Sequence, residues 1–156
     1  MAHLVFVYGT LKEGFPNFRV NRGTRLAGAF ATLARLPLYL VGERHVPWLV
    51  DDPGQGERVE GEVYAVDDGV LEQMDVLEGV ASPEGYRRRR IAVVPLVAPP
   101  AASAPDAARV ALADSGTAID VHAYLKDTRQ LADAGPRSGP FPAYTAAHAA
   151  LYRPRA

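Results

Sequence analysis

The feature that most constrains this chain is an unbroken apolar run near its start, Leu4-Val5-Phe6-Val7-Tyr8, closed by Gly9-Thr10-Leu11-Lys12. The run has strand length, and its β-branched and aromatic residues favour extended backbone. A strand without polar alternation needs cover on both faces, so the rest of the chain must supply a layer on either side of it. Gly9 ends the run and lets the backbone turn sharply or approach a ligand closely. Thr10 adds a hydroxyl, and Lys12-Glu13-Gly14 returns the chain to water. Such a turn can present several backbone N–H groups to an anion. Taken alone, it is also an ordinary first strand and turn.

The other elements follow in order. Phe15 to Val20, with Pro16 near its start, reads as a short helix or turn. Leu26 to Leu33 and Leu36 to Val41 read as short strands, interrupted by Pro37 and ended by Gly42. Val46 to Val50 is an apolar patch carrying Trp48, and Asp51-Asp52-Pro53-Gly54-Gln55-Gly56 is a clear turn. Arg58 to Val66 alternates, with Val59, Gly61, Val63 and Ala65 on one face and a wet face carrying Glu60, Glu62, Tyr64 and Val66. Asp67-Asp68 caps a helix from Gly69 to Leu77 or Glu78, and Gly79 stops it. Tyr86 to Val97 returns to strand, with Pro95 at an edge or bulge. The Ala- and Pro-rich stretch from Ala98 reads as a mobile loop over 98–116, inserted between two strands. Thr117 to Leu125 is the last strand, and a helical turn begins near Ala143-Tyr144. Many short strands with one or two short helices give an α+β domain spanning 1–156, its sheet mostly antiparallel and able to curl into a barrel.

Composition narrows the function. With 17 basic and 18 acidic residues, the chain offers no general electrostatic case for nucleic acid or an anionic membrane. Cys is absent from the sequence, which removes disulfides, a thiol nucleophile and thiolate metal sites. No apolar run has transmembrane length and no secretory pattern opens the chain, so the expectation is a cytoplasmic protein. The four histidines are scattered, with no spacing that suggests a metal site. Arg87 to Arg90 looks basic, but alternation along a strand sends neighbouring arginines to opposite faces. It reads as a solvated strand edge with one arginine able to reach a site. Trp48 reads as core packing, with a pocket wall as the alternative.

Glu78 is the informative residue. A helix beginning near Asp68 turns about 100° per residue, which gathers Val70, Leu71, Met74 and Leu77 on one side. The same rotation sets Glu78 between Met74 and Leu71, inside the apolar arc, and sends Glu72 and Asp75 toward water. Glu78 also lies at the C-terminal end, where the helix dipole disfavours negative charge. Burial and dipole both raise a carboxyl pKa, as a general acid–base group requires. If the helix ends a residue earlier, Glu78 simply faces water; both placements stay open.

In combination, these residues resemble the γ-glutamylcyclotransferase-like superfamily, and within it most of all the γ-glutamylamine cyclotransferase type. The resemblance rests on Val5 to Lys12 with Gly14 and Pro16-Asn17, then Pro37-Leu38, Gly42-Glu43 and Val46 to Leu49. It continues through Val59 to Asp67, Leu77-Glu78-Gly79, Tyr86-Arg87-Arg88, Tyr124 and Tyr152 to Arg155. It implies a small β-barrel with flanking helices. It also implies a substrate-binding turn made of Tyr8, Gly9, Thr10 and Leu11, and a single catalytic acid–base, Glu78. The implied activity releases an amine from a γ-glutamylamine, such as γ-glutamyl-ε-lysine, and forms 5-oxoproline without cofactor or metal. Gly79 and the Ala81 to Gly85 segment fit the wider superfamily better than the γ-glutamylamine type. Two alternatives therefore accompany the reading: a tailoring enzyme that removes a γ-glutamyl group from a biosynthetic intermediate, and a non-catalytic small-molecule binder. The small γ-glutamyl substrate is the partner implied, and the sequence carries no oligomeric state.

Overall fold

A computed structural model describes residues 2–97, 113–114 and 116–154. In chain order the elements are β1 (His3–Val7), a 3-10 turn (Phe18–Val20), β2 (Thr24–Arg25), β3 (Ala29–Thr32), β4 (Leu38–Val41), β5 (Val46–Leu49) and β6 (Glu60–Val66). There follow α1 (Asp68–Glu78), β7 (Arg87–Val97), β8 (Ala113–Asp114), β9 (Ile119–Leu125), α2 (Thr128–Ala132), β10 (Arg137–Ser138) and α3 (Ala146–Ala149). Most of the expected loop at 98–116 lies outside the described residues, and Ala113–Asp114 pairs with β7 as a strand.

Five strands close into a barrel in the order β1-β9-β7-β3-β6, with β6 pairing back to β1. Every contact around the ring is antiparallel except β1 with β9, where Val5 faces His122 in parallel register. A second, three-stranded sheet, β10-β4-β5, packs beside it. No helix among the described residues is long and apolar enough to cross a membrane.

The opening strand is covered on both faces, as its sequence requires. Phe6 packs with Phe30, Val63, Val93 and Val121 in the main core, together with Leu38 and Leu49 of the second sheet. Val5 and Val7 instead pack outward with Leu71 and Met74 of α1. Each such fully buried side chain contributes about 1.5–3 kcal/mol.

The expected wet face of β6 is only half wet. Glu60 is exposed, but Tyr64 and Val66 are buried beneath α1. The cause is the helix, which lands on the face that alternation alone assigns to water. β7 changes partner along its length: β9 pairs with Arg87 to Val93 and β3 with Val93 to Leu96. Among the described residues Arg87 to Arg90 therefore have a partner strand on one side only, the strand edge expected of them. Pro95 falls beyond the β9 pairing, so its missing N–H is not needed on that side.

Candidate active site

α1 begins with the Asp67 side chain accepting from the Val70 N–H at 2.8 Å. It ends on Gly79, whose φ of 66° is the left-handed conformation that stops a helix without Cβ strain. The N–H of Val80 donates to Asp75 O at 3.1 Å and that of Gly79 to Val76 O at 3.2 Å, a Schellman closure. The helix thus reaches Glu78. Leu71 and Met74 are buried and Leu77 is 40% exposed, so the apolar side tilts toward β1 and leaves Leu77 at the rim.

Glu78 lines a cavity of about 600 Å³ together with Tyr8, Gly9, Thr10 and Leu11. All five residues singled out in the sequence therefore meet at one site, although 67 or more positions separate the turn from Glu78. Glu78 keeps part of its surface at the cavity, yet burial dominates its carboxyl and raises the pKa from 4.5 to about 7, against the lowering influence of Lys126. The carboxyl can therefore take and return a proton near neutral pH.

The turn after β1 is rigidly held. Lys12 N–H donates to Gly9 O at 3.1 Å, and Asn17 clamps Thr10 twice, its N–H to Thr10 O and its Nδ2 to Thr10 Oγ1, both at 2.8 Å. Gly9 is needed for space and not for an unusual φ: a Cβ there would lie 3.0 Å from Pro47 Cγ. Leu11 turns its side chain into the cluster beneath α1, so it meets the cavity chiefly through backbone. Among the described residues, the N–H groups of Gly9, Thr10 and Leu11 donate to no protein acceptor. They form a set of donors that an anionic oxygen can use.

Tyr8 is buried, and its Oη donates to the carbonyl of Tyr124 at 2.7 Å. Burial first, and then the charge of Glu78, push its phenol pKa well up. Tyr86, Tyr124 and Lys126 complete the inner wall. Tyr86 Oη donates to Pro47 O at 2.6 Å. Lys126 is buried, with Nζ 4.4 Å from the centre of the Trp48 ring and 4.5 Å from that of Tyr86, and it donates to Glu84 O at 2.6 Å. Trp48 is thus a pocket wall, contrary to the core role expected for it. The sequence did not single out Tyr86, Tyr124 or Lys126 as site residues. The readable signal was weak, a tyrosine at the entry of one strand and near the exit of its neighbour.

Two further expectations are corrected here. Asp75 does not project into water: its carboxylate accepts from Arg88 Nη1 and Tyr124 Oη, each at 2.7 Å. Strands β7 and β9 run beneath that edge of the helix and supply these partners. Of the arginine run, Arg89 and Arg90 are exposed as expected, whereas Arg87 is half-buried and its Nη1 donates to Ser82 O and Gly85 O and its Nη2 to Pro83 O, pinning the loop that follows Glu78. Among the described residues no group of three acidic or histidine side chains could hold a metal ion.

Comparison with known proteins gives a consistent result. The family model described as "Gamma-glutamyl cyclotransferase, AIG2-like" matches residues 5–142. A gamma-glutamylaminecyclotransferase of Homo sapiens is 50% identical over 90 residues, covering 54% of this chain and 58% of that protein. One from Rattus norvegicus is 43% identical over 98 residues, covering 60% and 64%. The matched stretch spans roughly half to two-thirds of the length of these curated relatives. The crystal structure of an AIG2-like protein from Mus musculus superimposes with a TM-score of 0.71 at 28% identity, covering 99% of this chain and 97% of that one.

Proposed function

Since the chain belongs to the gamma-glutamyl cyclotransferase, AIG2-like family, we propose that it releases the amine of a γ-glutamylamine and closes the glutamyl part into 5-oxoproline. The observation that carries this reading is Glu78, a carboxyl with its pKa raised to about 7, lining the same cavity as the unpaired N–H groups of Gly9, Thr10 and Leu11. The human and rat relatives carry the name of that activity.

The chemistry needs no nucleophile from the protein. Glu78 as carboxylate takes a proton from the substrate's α-ammonium, and the freed amine attacks the γ-carbonyl carbon of the same molecule. A C–N bond forms and the carbonyl becomes a tetrahedral oxyanion. As that oxyanion collapses, the bond to the leaving nitrogen breaks and Glu78 returns its proton to the departing amine. The ring nitrogen then gives up its second proton to the Glu78 carboxylate, which passes it to the same amine, leaving a neutral lactam, an ammonium product and Glu78 as carboxylate. Ring closure is intramolecular, so holding the glutamyl chain folded supplies much of the rate advantage. The N–H groups of the Gly9 turn hold the glutamyl part through its oxygens, and Tyr8 and Tyr86 shield the reacting centre from water. Recognition of a glutamyl group alone does not need a carboxyl whose pKa is raised to about 7 at this position, so Glu78 favours the catalytic reading over a non-catalytic binder.

Incubation with γ-glutamyl-ε-lysine tests the proposal, with products separated by chromatography. Equal amounts of 5-oxoproline and lysine are expected. Glutamate in place of 5-oxoproline would mark a hydrolase. Thermal stabilisation by 5-oxoproline without any turnover would mark a binding protein.

A further inference from the structure

Among the described residues three cations line the cavity, and they differ in how they are held. Arg19 is exposed, and its Nη1 donates to Pro16 O at 3.1 Å. Arg44 is half-buried on the turn between β4 and β5, with Nη1 donating to Arg153 O at 3.3 Å. Lys126 alone is buried, at 4% exposure. Its backbone is fixed on both sides, since its N–H donates to Leu49 O and its carbonyl accepts from Asp51 N–H, both at 2.8 Å. Its ammonium lies against the rings of Trp48 and Tyr86 and donates to Glu84 O. Aromatic faces and a carbonyl oxygen both favour the protonated form. Lys126 thus sets a fixed positive charge into the cavity wall.

That charge is tied to Glu78 through the loop after α1. Tyr86, against whose ring the ammonium lies, gives its N–H to Glu78 O, and Glu84, whose carbonyl the ammonium bonds, stands two residues before it. The Glu78 carboxyl and the Lys126 ammonium therefore line one cavity around Tyr86, where little water can screen them. The other titratable groups nearby do not rival this charge. Burial pushes the phenols of Tyr8, Tyr86 and Tyr124 upward, so they stay neutral at working pH. Tyr152 adds a further phenol from the C-terminal segment. Glu43 and Glu84 are exposed, and Asp75, one helical turn before Glu78, is paired with Arg88.

We propose that Lys126 is a positioning residue for proton transfer: its buried ammonium keeps Glu78 in the carboxylate form that accepts the substrate's proton. The inference rests on the cyclotransferase reading of the site. Burial alone favours the protonated carboxyl, which cannot take a proton from the α-ammonium. Burial raises the Glu78 pKa and Lys126 opposes the rise, leaving it at about 7, where the carboxyl can both take a proton and return it. Arg19 and Arg44 reach solvent, which screens them, so neither replaces the buried ammonium.

The test follows two midpoints. One is the acid limb of the pH profile of kcat/KM for γ-glutamyl-ε-lysine, and the other is the titration of the Glu78 carboxyl carbon by NMR, its signal identified by its loss in Glu78→Gln. In Lys126→Gln, whose amide can still donate to Glu84 O, both midpoints should rise by about one pH unit or more. In Lys126→Arg they should stay near the wild-type values. Partial misfolding lowers the height of the profile and does not move its midpoint. If the glutamine variant does not fold, Lys126→Cys supplies the comparison, because the sequence has no other thiol. Alkylation with bromoethylamine or with iodoacetamide gives side chains of nearly one shape, of which only the first is charged, and the uncharged one should show the raised midpoints. Midpoints that do not rise when the charge is removed overturn the assignment of Lys126, while 5-oxoproline formation by the wild type keeps the cyclotransferase reading standing. A wild type that forms no 5-oxoproline overturns that reading, and the carboxyl titration then decides on Lys126 by itself.

Discussion

The N–H of Tyr86 donates to the carbonyl oxygen of Glu78 at 2.8 Å. The last residue of α1 is thereby bonded to the residue that leads into β7, and the helix end is held to the barrel wall. Between them, residues 79–85 form a compact loop. Ser82 N–H donates to Gly79 O, Gly85 N–H to Ser82 O, and Gln130 Nε2 to Gly85 O, at 2.8, 3.1 and 2.8 Å. Glu78 is positioned by backbone on both sides of the loop, and its carboxyl needs no fixing hydrogen bond that would compete with proton transfer.

That loop leaves no room at Gly85. A Cβ there would sit 1.8 Å from the carbonyl oxygen of Gly79, an approach that only backbone movement can relieve. Gly85→Ala is expected to destabilise the fold by about 1–3 kcal/mol and to lower kcat beyond what lost folded protein explains. Urea unfolding alongside turnover per folded molecule measures both. Wild-type stability and turnover would show that the loop does not set Glu78.

Asp75 lies one helical turn before Glu78 and ties α1 to two strands through Arg88 and Tyr124. Removing its carboxylate leaves a half-buried phenol and guanidinium short of an acceptor. Asp75→Ala should cost about 1–3 kcal/mol. It should also loosen Tyr124, whose carbonyl accepts from Tyr8 Oη. The loss in stability should be accompanied by weaker substrate binding, read as a raised KM.

The raised pKa of Glu78 links stability to pH with a definite sign. The folded protein holds this proton more tightly than the unfolded chain, so the contribution to stability is fully present below pH 4.5. It is lost as pH rises from 4.5 through about 7. At about 1.4 kcal/mol per pH unit across that window, the loss is of the order of 3 kcal/mol. Glu78→Gln carries no such titration. Measured by urea unfolding at pH 4.5 and pH 8, the glutamine variant should gain on the wild type by that order as pH rises. A difference that stays constant with pH would contradict the burial of the carboxyl.

What the sequence revealed depended on how local the signal was. β1 and α1 are written in runs of apolar residues and in the Asp67 and Gly79 caps, so both appear at their observed positions. The α+β class with a mostly antiparallel sheet followed from the count of short strands, and the closed barrel from the family resemblance. Asp75 was misread because helical rotation says which way a residue points and not what strand passes there. Trp48, Tyr86, Tyr124 and Lys126 share a cavity wall only because β5, β7 and β9 are brought together by long-range pairing. α2, with its Asp127–Gln130 capping box, escaped notice because its single short turn carries no apolar periodicity.

The central claim is that Glu78 moves the proton. The most direct measurement is formation of 5-oxoproline from γ-glutamyl-ε-lysine by wild type and by Glu78→Gln, each shown to be folded by its thermal transition. The account predicts that the wild type releases 5-oxoproline and lysine, and that the glutamine variant is slower by about 10²- to 10⁴-fold. A glutamine variant as active as the wild type would contradict it.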